Sequence, residues 1–301
     1  MFIFTDKFQL FLRQMFSFDK KRTHSMNMFN YQGRHHIAPL KANNHHGKVY
    51  IIGAGPGDAE LLTLKAIRLM NQADIVLFDA LVSTDVLATI PRHVKREYVG
   101  KRCGKHSMTQ NEISERVVEL AHAGHSVVRL KGGDPALFAR TCEETKALTM
   151  AKIPFAIVPG ITAASGVSAY TGIPLTDRSC AQAVMFMTAH FQNPEQWPDV
   201  EQLAKNVSNH TVVVYMGLSR LATLCEQLRQ CGVDSHWPIA VVENATCVNQ
   251  RMVVGTLDSI GALVNDSDIS GPTLLIFGKV VESRQLIDSA LLYQNQYARA
   301  I

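Results

Sequence analysis

The chain has 301 residues, 47% of them hydrophobic and 19% charged, with a formal net charge of +4; this balance is typical of a folded globular protein and excludes a disordered one. The lysines and arginines are spread along the chain and no apolar run reaches the roughly 20 residues of a membrane-spanning helix, so neither nucleic acid nor a membrane is an expected partner. The six cysteines show no paired spacing, which favours reduced thiols in a cytoplasmic protein and predicts no structural metal.

Residues 1–47 differ in composition from the rest of the chain and are predicted to form a loose extension. Charged residues interrupt its apolar stretches, so it lacks the continuous apolar core of a secretory signal. The histidine pairs at 35–36 and 45–46 have no neighbouring cysteine or carboxylate, which favours solvated polar residues over a metal site. A segment of 47 residues is too short for a further catalytic domain, so none is expected there.

From residue 48 onward, short apolar runs alternate with helical patterns. Leu61, Leu64, Ile67 and Met70 recur at the spacing of one helical face, which predicts an amphipathic helix. Such alternation calls for a sheet covered by helices on both faces. The other predicted elements of this half are strands at 49–52, 75–78, 127–130 and 155–158 and a helix at 111–123.

The second half changes character, because its strand candidates follow one another more closely. The last three are near enough in sequence to include antiparallel pairs. The candidates lie at 184–187, 212–215, 239–242, 251–254 and 274–277. The chain is therefore predicted to be an α/β protein of two α/β domains, 48–165 and 166–285, with a C-terminal tail at 286–301 and the active-site cleft between the domains.

Three glycine-rich loops follow predicted strands. The first occupies 53–58, the second runs through Gly132, Gly133 and Asp134 into Pro135, and the third occupies 159–166. Glycine lets the backbone approach a ligand closely, and a proline suits the first turn of a following helix. Each loop alone could equally be an ordinary turn. Together the three indicate one ligand crevice.

The first loop suggests a dinucleotide fingerprint, in which Asp79 after the next strand would bind ribose hydroxyls. However, Asp58 stands where the third glycine of that pattern belongs. A nucleotide-binding oxidoreductase using NAD is therefore the alternative interpretation, and it gives no role to the loop at 132–134.

A series of motifs occurs in an order that resembles the tetrapyrrole methylase family, most closely its members that act on uroporphyrinogen III. The resemblance covers about residues 48–285 and excludes the extension. The motifs lie at 53–58, 61–65, 79–83, 99–102, 127–135, 158–166, 172–178, 215–218 and 242–244.

The resemblance implies methyl transfer from S-adenosylmethionine to two carbons of uroporphyrinogen III, giving precorrin-2 by way of precorrin-1, on the route to sirohaem and cobalamin. It also implies a homodimer of two-domain subunits that bind the cofactor in the cleft, without a metal. Asp79 matches the family's proton acceptor and Lys101 its proton donor. The residues implied to bind the cofactor are Pro56, Gly132, Gly133, Asp134, Leu137, Thr162, Ala163, Met216 and Ala245.

Taken alone, Asp79 would be read as a strand-end or helix cap and Lys101 as an exposed lysine. The implied substrate carries many carboxylates, so several cations are expected to face the cleft, and arginine suits bidentate carboxylate binding. The cations predicted to bind substrate are Arg102, Lys105, His106, Arg140 and Arg178.

The chain departs from the family at several positions where glycine is usual. If one of these requires a positive φ, its side chain costs about 1 kcal/mol or more. The positions are Ala139, Thr141, Cys142, Ala189 and Ala245. The departures leave open a methylase of a later precorrin, a relative that modifies ribosomal RNA or diphthine, and a cofactor-binding module without enzymatic activity.

Overall fold

A computed structural model describes residues 47–100, 108–190 and 199–293, which belong to one compact unit. The first of its two sheets is five-stranded and wholly parallel, in the order β3-β2-β4-β1-β5. Because the strands are parallel, their carboxyl ends and the loops that follow lie at one edge. The strands are β1 (Lys48–Gly53), β2 (Ile75–Phe78), β3 (Lys95–Tyr98), β4 (Ser126–Lys131) and β5 (Phe155–Val158).

Helices cover both faces of this sheet, and an apolar cluster fills each interface. Side-chain caps begin most of these helices; the Thr109 hydroxyl and the Glu112 carboxylate form a reciprocal capping box. The helices are α1 (Leu64–Asn71), α2 (Thr84–Ala88), α3 (Gln110–His122), α4 (Thr141–Met150) and α5 (Ala163–Thr171), with a 3-10 turn at Ala59–Leu61.

The second sheet is mixed, in the order β6-β7-β10-β8-β9. Only β6 and β7 pair in parallel, and the remaining pairs are antiparallel. Its strands are β6 (Val184–Thr188), β7 (Thr211–Tyr215), β8 (Pro238–Glu243), β9 (Arg251–Thr256) and β10 (Thr273–Phe277). Its helices are α6 (Val200–Asn209), α7 (Leu221–Gln230), α8 (Ile260–Asp266) and α9 (Ala290–Tyr293), with 3-10 turns at Leu218–Arg220 and Lys279–Val281.

The α/β class, the two sheets and the antiparallel pairs of β8 with β9 and β10 confirm the sequence-based expectation. Strand β3 was not predicted, because Lys95–Tyr98 is a charged edge strand without an apolar run. The predicted boundary between residues 165 and 166 falls inside α5, whose Ala164 and Val167 pack against the second sheet. The domain limits remain a prediction.

Two local expectations were wrong. Helix α1 begins at Leu64, after the cap Thr63, and Leu64 is 90% exposed. The buried face of α1 instead consists of Ala66, Leu69 and Met70.

Pro135 opens no helix, because α4 starts only at Thr141. The Asp134 carboxylate accepts from the Ala136 N–H and closes a turn, after which the left-handed residues Phe138 and Arg140 (φ 52° and 54°) interrupt any helix.

Among the residues described, no helix combines the length and apolar character needed to cross a bilayer.

Candidate functional site

The structure brings the three predicted glycine loops together at the carboxyl edge of the first sheet. Gly55 and Gly133 exchange backbone hydrogen bonds, with N···O distances of 3.2 and 2.8 Å. A Cβ on Gly53 would lie 2.6 Å from both the Gly133 carbonyl oxygen and the Gly160 nitrogen. At such distances a side chain would force the backbones apart, so only glycine fits this crossing.

Asp134 ties the second loop to the third. Its Oδ2 accepts from the Gly160 N–H at 2.9 Å, and its Oδ1 accepts from the Ala136 N–H at 2.7 Å. The carboxylate therefore shapes the crevice from within, and each oxygen retains capacity to accept one more hydrogen bond.

Tyr215, at the end of β7, anchors the third loop from the second sheet. Its hydroxyl lies 2.6 Å from the Thr162 hydroxyl and accepts from the Ala164 N–H at 3.2 Å. Burial raises the pKa of Tyr215, and the hydrogen bonds with Thr162 and Ala164 oppose the rise. Sequence reasoning missed this tyrosine as a site residue, although it begins the motif at 215–218.

A cavity of about 480 Å³ opens beside the third loop. Three of the predicted cofactor residues, Asp134, Leu137 and Thr162, line it. Its other lining residues are Leu61, Ala136, Gly160, Ile161, Ser165, Gly166, Ala169, Tyr170 and Phe186.

The remaining first-half cofactor candidates lie next to these loops. A Cβ on Gly166 would meet Pro56 Cγ at 2.6 Å, so Pro56 packs on α5. Among the described residues, the nearest non-neighbouring atom to a Cβ on Gly133 would be the Ala163 nitrogen, at 3.9 Å. Gly132 lies against Leu81, whose Cβ would be 2.7 Å from an added Cβ.

The second half contributes residues in strained conformations. Met216 adopts φ 54° and is 47% exposed. Ala245 packs on the core of the second sheet, between the left-handed Asn244 and Thr246. The Thr246 hydroxyl accepts from the Asp58 N–H at 3.0 Å and so joins the two halves.

The substitutions at family glycine positions do not strain the backbone. None of the five falls in the left-handed region, so the cost that a positive φ would impose does not arise. These positions are Ala139, Thr141, Cys142, Ala189 and Ala245.

Asp79 follows β2 and is held on both carboxylate oxygens. Its Oδ2 accepts from Arg129 Nη2 at 2.7 Å, and its Oδ1 accepts from the Leu81 N–H at 3.1 Å. The second contact is the turn cap expected of this aspartate taken alone. The first contact pairs it with a cation only 4% exposed, which no motif had indicated.

Arg129 belongs to a buried charge cluster that sequence reasoning also missed. Lys131 and Glu144 complete it, with an Nζ···Oε1 distance of 2.8 Å. Burial lowers the pKa of Lys131, and Glu144 opposes that shift. The sequence signal was present, since Arg129 and Lys131 are two charges at alternate positions of an otherwise apolar strand.

Two of the five predicted substrate-binding cations, Arg140 and Arg178, lie among the described residues. Arg140 is exposed and makes a bidentate ion pair with Glu143, at 2.7 Å for each contact. The hydrogen bonds that Arg140 donates to Glu143 raise the pKa of Arg140. Arg178 is exposed on the turn at 177–181. Four further predicted site residues lie outside the described residues: Lys101, Arg102, Lys105 and His106.

Within residues 47–100, 108–190 and 199–293, no group of three histidine, cysteine or acidic side chains is arranged to hold a metal ion. A second cavity, of about 440 Å³, lies beside residues 243–244, 249–251 and 270–271 and contains none of the predicted site residues.

Two similar proteins are siroheme synthases. That of Pseudomonas fluorescens (strain Pf0-1) is 48% identical over 242 residues, which cover 79% of this chain and 51% of the relative. That of Acinetobacter baylyi is 48% identical over 239 residues, which cover 79% of this chain and 52% of the relative. The chain thus spans about half the length of the curated relatives it matches.

Solved structures match the described fold. The uroporphyrin-III C-methyl transferase of Thermus thermophilus in complex with S-adenosyl homocysteine has a TM-score of 0.67 and 37% identity, covering 79% of this chain and all of that one (100%). A cobalt precorrin-4 methyltransferase has a TM-score of 0.69 and 26% identity, covering 78% of this chain and 95% of that one.

The model of the tetrapyrrole (corrin/porphyrin) methylases matches residues 48–261. That span includes both sheets up to β9, all three glycine loops and Asp79. The chain belongs to the tetrapyrrole methylase family.

Proposed function

We propose that this chain methylates uroporphyrinogen III with S-adenosylmethionine, giving precorrin-2 by way of precorrin-1 in sirohaem or cobalamin biosynthesis. The observation that carries the proposal is the crossing of three glycine loops, where Gly132 packs against Leu81, two residues after Asp79. It occurs in a chain that covers the whole of the Thermus uroporphyrin-III C-methyl transferase at 37% identity.

The residues present fit an adenosylmethionine-sized ligand. The cavity beside the third loop has a volume of about 480 Å³ and a largely apolar lining, as is usual for cofactor sites. Gly133 presents bare backbone, since the Ala163 nitrogen, at 3.9 Å, is the nearest non-neighbouring atom of the described residues to an added Cβ. The residues proposed to bind the cofactor are Pro56, Gly132, Gly133, Asp134, Leu137, Thr162, Ala163, Met216 and Ala245.

Bound S-adenosylmethionine would supply a methyl group already activated by its sulfonium. The task left to the chain is mainly positioning, because a pyrrole carbon must attack that methyl group in line. We assign proton uptake to Asp79 and proton donation to Lys101, as a carboxylate and an ammonium can perform. Arg129 donates to Asp79 Oδ2, whereas Oδ1 accepts, among the described residues, only from the neutral Leu81 N–H and is therefore the freer oxygen.

Substrate binding is assigned to cations around the crevice. The candidates are Arg102, Lys105, His106, Arg140 and Arg178. For Arg140, the proposal requires the substrate to share or replace the contact with Glu143. We further propose that the protein acts as a homodimer in the cytoplasm. Sedimentation of the purified chain would check the dimer, and cell fractionation would check the location.

Incubation with uroporphyrinogen III and S-adenosylmethionine labelled in the methyl group tests the proposal. Incorporation of two labelled methyl groups is the expected result. Incorporation of one, or methylation only of a later precorrin, would identify the chain as a different methylase of the family, an alternative that the likeness to cobalt precorrin-4 methyltransferase favours. Tight cofactor binding without transfer would instead indicate a binding module.

Asp79→Ala tests the role of the carboxylate. We expect turnover to be lost while affinity for S-adenosylhomocysteine changes little, because Asp79 does not line the cavity. Asp266→Ala, on the exposed side of α8, is the control. Weakened cofactor affinity with normal turnover at saturation would contradict the assigned role.

A further inference from the structure

The buried charge cluster is Arg129 and Lys131 on β4 with Glu144 on α4. The side chains of these residues are 4%, 4% and 2% exposed. Arg129 and Lys131 are two positions apart and therefore point to the same face of the sheet, the face whose apolar cluster packs against α3 and α4. The proposed mechanism gives neither Lys131 nor Glu144 a task.

Glu144 connects the members of this cluster. Its Oε1 accepts from Lys131 Nζ at 2.8 Å, from Gln110 Nε2 at 3.0 Å and from Arg129 Nε at 3.2 Å. Its Oε2 is buried and has no hydrogen-bond partner among the described residues. Among the described residues, all hydrogen bonds to the Glu144 carboxylate are therefore accepted by Oε1.

Arg129 extends the connection to the proposed proton acceptor. One terminal nitrogen donates to Asp79 Oδ2 at 2.7 Å, and the other donates to the Leu130 carbonyl at 2.7 Å. Since Nε is bound to Glu144, all three nitrogens of the guanidinium are engaged. A continuous contact path runs from Glu144 through Arg129 to Asp79.

Stability alone does not account for this arrangement. Buried ion pairs gain little over apolar side chains of similar volume, and a buried oxygen without a partner costs about 1–3 kcal/mol. Two cations on one face of β4 also repel each other unless a carboxylate lies between them. A planar guanidinium held at three points, by contrast, fixes the position of the carboxylate it binds.

We propose that Glu144 is a positioning residue, which orients Arg129 so that the Asp79 carboxylate is held in one place beside the glycine loops. The inference rests on the proposed function for the role of Asp79. Glu144 touches neither substrate nor cofactor and acts only through Arg129. Lys131, bound to the same oxygen, fixes Glu144 in turn.

The test compares Glu144→Gln with the wild-type chain. We expect the turnover number to fall about 10- to 100-fold, as a misplaced group predicts, while affinity for S-adenosylhomocysteine stays within about twofold. The matched control is Glu119→Gln, which removes a carboxylate that pairs with Arg116 at 2.7 Å but is 68% exposed. This control should leave turnover unchanged.

A double-mutant cycle with Asp79→Asn separates positioning from general stability. If Glu144 acts through Asp79, Glu144→Gln should lower the residual turnover of Asp79→Asn by less than about twofold. Additive losses, or a lower melting temperature with unchanged turnover, would overturn the inference. If Glu144→Gln does not fold, Glu144→Asp retains the charge and takes its place in the same cycle.

A crystal structure of the same variant provides a readout besides activity. We expect Arg129 Nη2 to move out of hydrogen-bond distance of Asp79 Oδ2, from the present 2.7 Å. An unchanged contact would overturn the inference even if the wild-type chain failed to methylate uroporphyrinogen III. Failure of that methylation by itself would count against the proposed function.

Discussion

The two sheets line the candidate cofactor site in opposite ways. The first sheet offers bare backbone, because its loops cross at Gly53 and Gly160 with no room for a side chain, and Gly133 beside them has a positive φ of 66°. The second sheet contributes proposed contacts on or beside strained backbone, since Met216 has a φ of 54° and Ala245 follows Asn244, whose φ is 50°. Glycine could have relieved that strain, so the side chains at these positions are retained at a cost of about 1 kcal/mol each.

The two halves therefore meet different requirements of one site. Backbone atoms of the first half must approach one another closely, which only glycine permits. The second half reaches the crevice through side chains, such as the Tyr215 hydroxyl on Thr162 and the Thr246 hydroxyl on the Asp58 N–H. Substitutions should therefore damage the two halves differently.

The largest effect is expected for Gly53→Ala. The added Cβ would lie 2.6 Å from backbone atoms of both other loops, so we expect a loss of about 3 kcal/mol in the free energy of unfolding and no measurable binding of S-adenosylhomocysteine. The control Gly261→Ala places its Cβ in open space on α8. It should stabilise the protein by about 0.5 kcal/mol. Chemical denaturation and calorimetric titration measure both, and equal tolerance of the two variants would refute the packed crossing.

Glu243→Gln should have the next largest effect on stability. Glu243 is the last residue of β8 and directly precedes Asn244. Burial favours the protonated form of Glu243, but the Gly271 and Ser270 N–H groups and Arg251 outweigh burial and leave its pKa lowered. A lowered pKa contributes stability above the unfolded-state value, and that contribution is lost as pH falls through the folded-state value.

We therefore expect the variant to lose about 2 kcal/mol at neutral pH and to lose less stability than the wild type on acidification. Denaturation between neutral and acidic pH measures this. The exposed Glu201→Gln is the control. Parallel pH curves for variant and wild type would show that Glu243 does not act in this way.

Tyr215→Phe removes the hydroxyl that bridges the sheets and should cost about 1 kcal/mol of stability. We also expect weaker binding of S-adenosylhomocysteine, because Thr162 and Ala164 at the start of α5 lose their anchor. Tyr50→Phe, on the first sheet and without a hydroxyl hydrogen bond among the described contacts, is the matched control. Unchanged affinity in Tyr215→Phe would show that the Tyr215 hydroxyl does not hold the third loop in its binding conformation.

Met216→Gly should have the smallest effect on stability and the opposite sign. Glycine accepts the positive φ of Met216 without strain, which stabilises the folded state. It also makes the unfolded chain more flexible, which offsets part of that gain, so we expect the free energy of unfolding to rise by about 0.5 kcal/mol. Affinity for S-adenosylhomocysteine should fall, since the half-exposed side chain is lost. A variant with lower stability and normal affinity would contradict the idea that the strain is retained for binding.

The sequence predicted the parts of the molecule whose signals are local. Apolar runs located the strands, and glycines at strand ends located the crossing loops, because both reflect constraints on the residue itself. The edge strand Lys95–Tyr98 had no such signal. The contact of Tyr215 with Thr162 was inaccessible, since the two residues are 53 positions apart in the chain. The pairing of Glu144 with Arg129 and Lys131 was missed because it depends on how α4 packs on β4.

The family resemblance added the residue roles, and the structure tests only their placement. It groups Asp134, Leu137 and Thr162 around one cavity and leaves Arg140 bound to Glu143 on the surface. The positions where the family usually has glycine did not locate the strained backbone, because the left-handed conformation occurs at Asn244 and not at Ala245.

A crystal structure with S-adenosylhomocysteine would show whether the glycine crossing binds the cofactor. We expect the ligand to lie against 132–134 and Thr162, with its sulfur on the side of the crevice that faces Asp79. Density at another surface, such as the cavity beside Glu243 and Gly271, with the glycine crossing unoccupied would contradict this expectation.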